Sequence, residues 1–430
     1  MHIPCKGACP PLAAYASLRG LPRPFILETQ DKARPHAGHT YLGADPSFVV
    51  SVDGSGTYLD GRKVSGTTDP CAALAALGMP SAEGELLRGG YVGYLAYGAT
   101  TGHATEPSVF GYYGEIADYH HADGTCTVHT LHDGPSLLME HLAPGANAPE
   151  ALPEPDGSVK GTDADADTFT GMVREAQEYI RAGDAFQVVL SRECSIKTSL
   201  SPFEAYLRLR AASPSPYLFL LEGKERSLAG ASPETMASVR GNVMHVNPIA
   251  GTCGRGKTDQ EDDDLARRLL ETDKERAEHV MLVDLGRNDV GKVCDPATIA
   301  LPTLMTVRKY SHVQHIESEV TGRLRAGMTP FDAMAAAFPA GTLTGAPKLR
   351  AMEILATLEQ TPRRVYGGCA GYFSATGDTD AAIAIRMAEF GSGCTVRAGA
   401  GIVADSNPYA EFAETERKMA GVLSALGVAP

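Results

Sequence analysis

No stretch of this chain approaches the about 18 consecutive apolar residues that a membrane-spanning helix needs. The first residues, Met1-His-Ile-Pro-Cys5, also lack a charged segment followed by an apolar run, which is the pattern of a secretory signal. We therefore expect a cytoplasmic protein that does not associate with a membrane.

Basic residues are scarce and scattered. The chain has 38 Lys and Arg against 52 Asp and Glu, a formal net charge of -14. Its basic runs are no longer than pairs such as Arg267-Arg268. Proteins that bind nucleic acid normally present a clustered basic face to the phosphate backbone. The composition therefore argues against nucleic acid as a partner.

The nine cysteines form neither a disulfide framework nor a metal-binding set. Their number is odd and their spacing irregular. Cys5 and Cys9 are the closest pair, and no further cysteine or histidine nearby completes a zinc site. Free thiols in a reducing compartment are the expected state.

The pattern of short strands and helices predicts an α+β protein with a large, mostly antiparallel sheet assembly. Residues 1–142 read as short apolar strands broken by Gly, Pro, Asp and Ser. Residues 143–166 are rich in Pro, Gly, Ala and Asp and predict a surface connection. Beyond it, strands alternate with helices. The predicted strands include residues 217–221 and 381–387. The helices are predicted over residues 167–181, 202–212, 259–285, 330–338, 347–358 and 409–426.

A glycine-dense segment leads into an acidic helix near the end of the sequence. The segment reads Arg397-Ala-Gly-Ala-Gly-Ile-Val-Ala-Asp405, and a helix beyond Pro408 places Glu411, Glu414 and Lys418 on one face. Glycine lets a ligand approach the backbone closely, and carboxylates suit a hard cation. The same helix would equally fit a solvated surface with ordinary charge pairs.

Further segments combine polar side chains with tight turns. Ser232-Pro-Glu234 places a carboxylate at the start of a strand, and Pro248-Ile-Ala-Gly-Thr252 presents a threonine at a turn. Phe338-Pro-Ala-Gly-Thr-Leu-Thr-Gly-Ala-Pro-Lys348 is a glycine-rich loop before a helix. Because Ala346 and Pro347 interrupt its Gly-Lys sequence, it does not predict a nucleotide-binding P-loop.

Four motifs resemble the chorismate-utilising enzymes, and most of all the large subunits of anthranilate synthases. Besides the segments that begin at Phe338 and Arg397, they are Asp273-Lys-Glu-Arg-Ala-Glu-His-Val-Met-Leu-Val-Asp-Leu-Gly-Arg-Asn-Asp-Val290 and Tyr366-Gly-Gly-Cys-Ala-Gly-Tyr-Phe373. The similarity runs through residues 165–425 and is weaker before them. It implies the family's fold, a two-sheet, sandwich-like core flanked by helices, with an N-terminal subdomain (1–142) and a catalytic domain (167–430).

The resemblance implies a magnesium site between two helices. Glu278 and Glu414 match the family's Mg²⁺ ligands, and Glu275 and Glu411, one turn earlier on each helix, match residues that support the ion through water. Mg²⁺ prefers a few carboxylates together with waters and substrate oxygens. Such an ion would bind the ring carboxylate of chorismate and withdraw electron density from C2.

The resemblance also implies a set of substrate contacts. A planar guanidinium and backbone amides suit the planar enolpyruvyl carboxylate. A threonine matches the contact to the ring carboxylate. The expected substrate-binding residues are Thr252, Thr344, Tyr366, Arg386, Gly399, Ala400 and Gly401.

The expected catalytic residues are Glu234, His315, Gln187 and Lys418. Glu234 matches the acid that protonates the departing C4 hydroxyl, although an ordinary turn carboxylate is the alternative. His315 matches the histidine linked to removal of the C2 proton, although by itself it would fit a core histidine. Lys418 adds positive charge one turn beyond the predicted metal ligand of its helix.

Two positions favour amination over the family's other reactions. Relatives that add water to C2 have a lysine base where this chain has Gln187, and ammonia needs no such base. Relatives that aminate C4 have a nucleophilic lysine where this chain has Ala250. We therefore expect a lyase that aminates chorismate at C2 with ammonia and eliminates pyruvate to give anthranilate, for tryptophan biosynthesis. Aminodeoxyisochorismate synthase is the main alternative, ahead of isochorismate synthase and an inactive regulatory homologue.

The ammonia is expected to come from another chain. The sequence contains no complete glutaminase signature, which is a cysteine in a Gly-x-Cys-x-Gly elbow together with a downstream His-x-Glu. A separate glutamine amidotransferase subunit in a hetero-oligomer is therefore the expected partner.

A tryptophan-binding regulatory site is expected near the N-terminus, in an altered form. The family's Leu-Leu-Glu-Ser stands here as Ile26-Leu-Glu-Thr29, and its Asn-Pro-Ser-Pro-Tyr-Met stands as Ser213-Pro-Ser-Pro-Tyr-Leu218. We expect these changes to weaken tryptophan inhibition. The candidate regulatory residues are Glu28, Thr29, Pro214, Tyr217 and Leu218.

Overall fold

The computed structural model describes residues 1–5, 7–30, 38–102, 104, 106–142, 151–213, 215–310 and 313–428. The strands of this part of the chain are β1 (His2–Pro4), β2 (Phe25–Thr29), β3 (His39–Gly43), β4 (Phe48–Asp53), β5 (Gly56–Leu59), β6 (Arg62–Ser65), β7 (Gly90–Leu95), β8 (Ser108–Tyr113), β9 (Glu115–His120), β10 (Thr125–Thr130), β11 (Ser158–Thr162), β12 (Gln187–Lys197), β13 (Tyr217–Leu221), β14 (Ser227–Ser232), β15 (Thr235–Arg240), β16 (Val243–Val246), β17 (Ile249–Gly254), β18 (Ala300–Lys309), β19 (Val313–Arg323), β20 (Gly345–Ala346), β21 (Cys369–Ser374), β22 (Thr379–Ile383), β23 (Met387–Phe390) and β24 (Cys394–Ile402).

The helices of the same residues are α1 (Pro11–Leu18), α2 (Pro70–Leu77), α3 (Leu137–His141), α4 (Ala166–Arg181), α5 (Pro202–Ala212), α6 (Asp259–Glu271), α7 (Asp273–Val293), α8 (Pro330–Ala337), α9 (Gly341–Thr344), α10 (Lys348–Leu358) and α11 (Pro408–Leu426), with a short 3₁₀ turn at Pro296–Thr298. Within the described ranges, none combines the length and apolarity needed to cross a membrane.

Two antiparallel sheets form the centre of the protein. The first has the order β1-β10-β9-β3-β2-β13-β14-β23-β24-β12-β11, with β20 also paired to β12. The second has the order β17-β19-β16-β15-β22-β21-β7-β8-β4-β5-β6, with β18 also paired to β19. This confirms the predicted α+β class with a large antiparallel sheet assembly.

Strands from both ends of the sequence share each sheet. In the first sheet β2 pairs with β13, and in the second β7 pairs with β21. The predicted subdomains at residues 1–142 and 167–430 therefore meet through continuous hydrogen bonding, and the division between them stays a prediction. Within the predicted surface connection, residues 143–150 lie outside the described part, and β11 forms an exposed edge strand that the sequence did not predict.

The largest buried apolar cluster joins the two sheets. Phe25 and Phe219 of the first sheet and Tyr91 and Phe373 of the second belong to it. A layer of helices covers one face of β12 and β24. Residues of α4 and α10 pack there with residues of the two strands in one buried apolar cluster. The glycine-rich end of β24 is therefore held in a sheet that is packed against helices.

Local sequence explains where the helices of the site begin. The Asn407 side chain accepts hydrogen bonds from the backbone amides of Tyr409 and Ala410, both at 3.1 Å, and so starts α11. The predicted helix over residues 259–285 is instead two helices, because Thr272 adopts extended backbone angles between α6 and α7. The second of them continues to Val293, beyond the predicted end.

Candidate functional site

The floor of the candidate site is the glycine-rich part of β24. Gly399, Ala400 and Gly401 pair with Ser191, Leu190 and Val189 of β12. A Cβ on Gly399 would lie 2.7 Å from the Leu190 carbonyl oxygen and 3.2 Å from the Tyr366 hydroxyl. A Cβ on Gly401 would lie 2.6 Å from Nε2 of Gln187. Close neighbours, and not an unusual φ, explain why these two positions are glycine.

The α11 helix contacts this floor through Lys418. Its Nζ donates to the Gly399 carbonyl oxygen over 3.0 Å and forms an ion pair of 2.7 Å with Oε1 of Glu414, one turn earlier. The guanidinium of Arg386 donates to the Lys418 carbonyl oxygen over 2.8 Å. The predicted charged face of α11 therefore packs toward β24. Lys418, through its bond to Gly399, is not the purely solvated surface residue that the alternative interpretation of this helix would require.

Arg386 and Tyr366 lie beside the same floor. Arg386 has a φ of 52° in the turn between β22 and β23, so the predicted continuous strand over residues 381–387 is wrong. Burial lowers the pKa of Arg386, although Tyr366 and Glu414 act in the opposite direction. Burial also raises the pKa of Tyr366 to about 12, so its hydroxyl stays protonated and can donate. Both side chains therefore suit the binding of a small anion beside Gly399.

The α7 helix approaches the floor from its own side through Glu278. Nε2 of Gln187 donates to Oε1 of Glu278 over 2.9 Å. One turn earlier on α7, the Oε2 atom of Glu275 would lie 2.9 Å from a Cβ on Gly251, whose φ is 65°. The carboxylates of α7 therefore face the Gly251 turn and the start of β12.

His315 lies next to that turn. Its Nδ1 donates to the Gly251 carbonyl oxygen over 3.2 Å, since a carbonyl oxygen can only accept. Burial lowers the pKa of His315, and the charges of Arg386 and Lys418 lower it further, against the effect of the hydrogen bond. The imidazole is therefore neutral near pH 7 and able to accept a proton.

Glu234 lies at the start of β15 with only 9% of its surface exposed. The hydroxyl of Thr342 donates to its Oε1 over 2.8 Å. A cavity of about 40 Å³ lies beside this pair, lined mainly by apolar residues such as Leu282, Leu285 and Met236. Glu234 is thus a buried carboxyl group at a cavity wall and not an exposed turn residue.

Among the described contacts, none places Thr344 or Thr252, two of the predicted substrate-binding residues, at the floor. Thr344 is fully buried, and its hydroxyl donates to the Ala340 carbonyl oxygen over 3.0 Å, which closes the turn of α9. Its role in binding stays a prediction. Thr252 pairs with His315 between β17 and β19, but its side chain lies outside the described residues.

The predicted metal ligands lie on both helices beside the floor. Glu278 reaches it through Gln187, and Glu414 reaches it through Lys418. Among the described residues, no three Asp, Glu, His or Cys side chains already form a cluster that could hold a metal ion. Two carboxylates completed by water and substrate oxygens fit Mg²⁺, which rarely occupies an all-protein cage. Glu275 and Glu411 stay predictions as outer residues of that site.

Sequence reasoning missed Thr342 and gave no role to Lys348. Nζ of Lys348 donates to Oδ2 of Asp289 over 3.0 Å and to the Ala337 carbonyl oxygen over 2.8 Å, and burial lowers the pKa of this lysine. Both residues belong to the glycine-rich loop identified from the sequence. One sequence signal could have identified Thr342. It is two residues from Thr344 in the same helical turn, so the two side chains point in different directions. If Thr344 faces the core, Thr342 faces the cavity.

Comparison with known proteins identifies the family. The model of the chorismate binding enzymes matches residues 23–424. The chain belongs to this family. Anthranilate synthase component 1 of Thermococcus kodakarensis is 52% identical over 424 residues, 97% of each chain. The protein of the same name from Archaeoglobus fulgidus is 44% identical over 422 residues, 97% of this chain and 98% of its own.

A solved structure of the family has the same fold. Anthranilate synthase component I from Streptococcus pneumoniae TIGR4 superimposes with a TM-score of 0.80 at 33% identity, covering 98% of both chains. The expected chorismate-utilising enzyme fold is therefore confirmed. The glycine floor, Glu234, Glu278 of α7 and Glu414 of α11 all lie within the residues that match the family model.

A second cavity brings together the predicted regulatory residues. It is small, about 20 Å³, lies between the two sheets, and has Glu28, Thr29, Tyr217 and Leu218 in its lining. The carboxylate of Glu28 is 2% exposed and accepts from Arg210 over 2.7 Å. Pro214 lies outside the described residues. The grouping agrees with the sequence pattern, and tryptophan binding stays a prediction.

Proposed function

We propose that this chain is the chorismate-converting component of an anthranilate synthase. The observation that carries the proposal is the amide of Gln187, which contacts Glu278 at 2.9 Å and lies against Gly401. An uncharged amide at this position can hold ammonia near C2 of chorismate but cannot activate water. The name carried by the relatives at 52% and 44% identity supports the same reaction.

Binding and orientation of chorismate come from the floor and its neighbours. Arg386, Tyr366 and the amides near Gly399 hold the enolpyruvyl carboxylate. Glu278 and Glu414 would hold Mg²⁺, which when bound supplies a positive charge for the ring carboxylate and makes C2 more electrophilic. In this proposed binding mode, C2 lies beside Gln187 and the C4 hydroxyl faces Glu234.

The chemical steps use Glu234 as an acid and His315 as a base. Ammonia attacks C2, the double bond shifts, and the C4 hydroxyl leaves as water with a proton from Glu234. His315, which is neutral, then takes the proton from C2, and the electrons break the C3–O bond and release enolpyruvate, which gains a proton on its methylene carbon to become pyruvate. Chorismate and ammonia thus become anthranilate, pyruvate and water.

A direct assay tests this reaction. The purified chain with chorismate, Mg²⁺ and ammonium should produce anthranilate, measured by its fluorescence, and an equal amount of pyruvate, measured by a coupled reduction. A product of the mass of aminodeoxyisochorismate without pyruvate would instead assign the alternative activity. Formation of isochorismate would exclude amination altogether.

We propose that ammonia reaches the site from a separate glutamine amidotransferase subunit. The label "component 1" on the relatives supports the existence of a second component. With glutamine in place of ammonium, the chain alone should form no anthranilate, and addition of an amidotransferase component should restore it. Equal rates with glutamine and ammonium for the chain alone would contradict the proposal. The cytoplasmic location expected from the sequence stays a prediction.

A further inference from the structure

Glu234 needs a new proton after every turnover. It gives one proton to the leaving hydroxyl in the proposed reaction, and it is only 9% exposed. Bound chorismate covers the floor side of the carboxyl group. The replacement proton therefore has to arrive from another side of Glu234.

The cavity of about 40 Å³ lies beside Glu234, and its lining includes none of the floor residues Gly399 and Gly401 or their neighbours Tyr366 and Arg386. Its wall includes the polar residues Glu234, Thr342, Asn247 and Asp289 among apolar residues such as Leu285 and Ile383. A cavity of this size with several polar groups can hold water. Water in it would be next to the general acid, in a space that the floor residues do not line.

Thr342 lies next to Glu234 in the wall of this cavity. Its hydroxyl donates to Oε1 of Glu234 over 2.8 Å, and the residue also lines the cavity. A hydroxyl can donate one hydrogen bond while accepting another. Thr342 can therefore accept a hydrogen bond from a cavity water at the same time as it donates to Glu234.

We propose that Thr342 is the proton relay through which water in this cavity recharges Glu234. A cavity water gives its proton to the Thr342 oxygen, and Thr342 passes its own proton to Oε1 of the Glu234 carboxylate. Thr342 keeps one proton throughout, Glu234 gains one, and the cavity water takes a replacement proton from the solvent in the same transfer, so that no hydroxide forms. A half-turn of the carboxyl group then carries the proton to the side of the substrate. The proposal rests on the proposed role of Glu234 as the acid.

Three substitutions separate a relay from simple packing. Thr342→Val keeps the shape and removes the hydroxyl, Thr342→Ala leaves space for a water, and Thr342→Ser keeps the hydroxyl. A relay predicts that kcat falls about tenfold or more for Val, is partly recovered for Ala, and returns to within about threefold for Ser. The KM for chorismate should stay within about twofold in all three, since a relay acts only after binding. The control Thr357→Val changes an exposed threonine on α10.

Two further measurements decide the outcome. The solvent deuterium isotope effect on kcat should be larger for Thr342→Val than for the unchanged protein, because proton supply then limits the rate. Activity of the Val variant equal to or above that of Ala, or a change in KM with unchanged kcat, would overturn the relay. Glu234→Gln tests the underlying function separately. If it is inactive while Thr342→Val is fully active, only the relay fails, and if it is active, Glu234 is not the acid.

Discussion

The imidazole of His315 donates from Nδ1 to the carbonyl oxygen of Gly251 over 3.2 Å, and this contact fixes the tautomer of the ring. Nε2 then carries the lone pair of the neutral imidazole. Because burial lowers the pKa of His315 from 6.5, the basic form predominates above that value. The group is therefore ready for proton abstraction at neutral pH.

The titration of His315 should not change the activity above pH 7. The activity should fall only when the pH drops below 6.5 and passes through the lowered pKa of His315. His315→Gln should slow pyruvate release by about 100-fold or more while amination continues. Mass analysis should show aminodeoxyisochorismate accumulating in that variant. Loss of chorismate consumption without this intermediate would contradict the assignment of His315 to the elimination.

Removal of the metal tests the two acidic helices. Chelation of Mg²⁺ should abolish turnover, and Glu278→Gln or Glu414→Gln should raise the Mg²⁺ concentration needed for half-maximal activity by about tenfold or more. The matched control Glu175→Gln alters an exposed carboxylate on α4 and should leave the requirement unchanged. An unaltered Mg²⁺ requirement in both site variants would remove these carboxylates from the metal site.

A methyl group on the floor should disrupt the site. In Gly399→Ala the new Cβ would lie 2.7 Å from the Leu190 carbonyl oxygen, so β24 or Tyr366 has to shift. Because misplacement by about 1 Å can reduce rates by about 100-fold, we expect a loss of that order in kcat/KM. The control is Gly393→Ala, at a position where an added Cβ meets nothing within 4 Å. Equal activity of both variants would show that the floor tolerates a side chain.

Tryptophan should inhibit this chain only weakly. Thr29 and Leu218 line the inter-sheet cavity and differ from the family's Ser and Met. Thr29→Ser combined with Leu218→Met should therefore tighten inhibition, measured by titration of anthranilate formation. Strong inhibition of the unchanged protein, or no change in the double variant, would contradict this account of the cavity.

His279 should make the fold sensitive to acid. It is fully buried, its Nε2 contacts the Ser318 hydroxyl at 2.6 Å, and burial lowers its pKa to about 4. The unfolded chain, with a pKa near 6.5, then binds more protons between these values, so stability falls as the pH falls from 6.5 toward 4. By pH 5 the loss from this group is about 2 kcal/mol. Denaturant unfolding at pH 7.5 and 5 should show a smaller loss in His279→Gln, and equal losses would contradict it.

Local sequence signals predicted some elements to the residue. The helix Pro202–Ala212 has a capping box in which Ser201 and Glu204 satisfy each other's backbone amides, and the predicted bounds are confirmed. Strand Tyr217–Leu221 is likewise confirmed, because it is a short apolar run bounded by turn residues. In both cases the decisive contacts lie within a few residues of each other in sequence.

Elements that depend on distant contacts were predicted less well. The edge strand Ser158–Thr162 is exposed along its whole length, so only its pairing with β12 makes it a strand. The break at Arg386 likewise had no signal in the apolar run around it. Motif resemblance supplied the site residues but not the bond between Thr342 and Glu234, because nothing in the sequence relates two residues 108 positions apart.

The pairing of β2 with β13 and of β7 with β21 has a consequence for how this family can change. The strands that line the inter-sheet cavity also form the scaffold of the chorismate site. Neither the cavity nor the chorismate site can therefore be replaced as a separate unit. Recombination with a relative would bring strands of mismatched register together. Any feedback control exerted through this cavity would therefore have to be tuned one side chain at a time, and Thr29 and Leu218 are two positions where this chain differs from the family pattern.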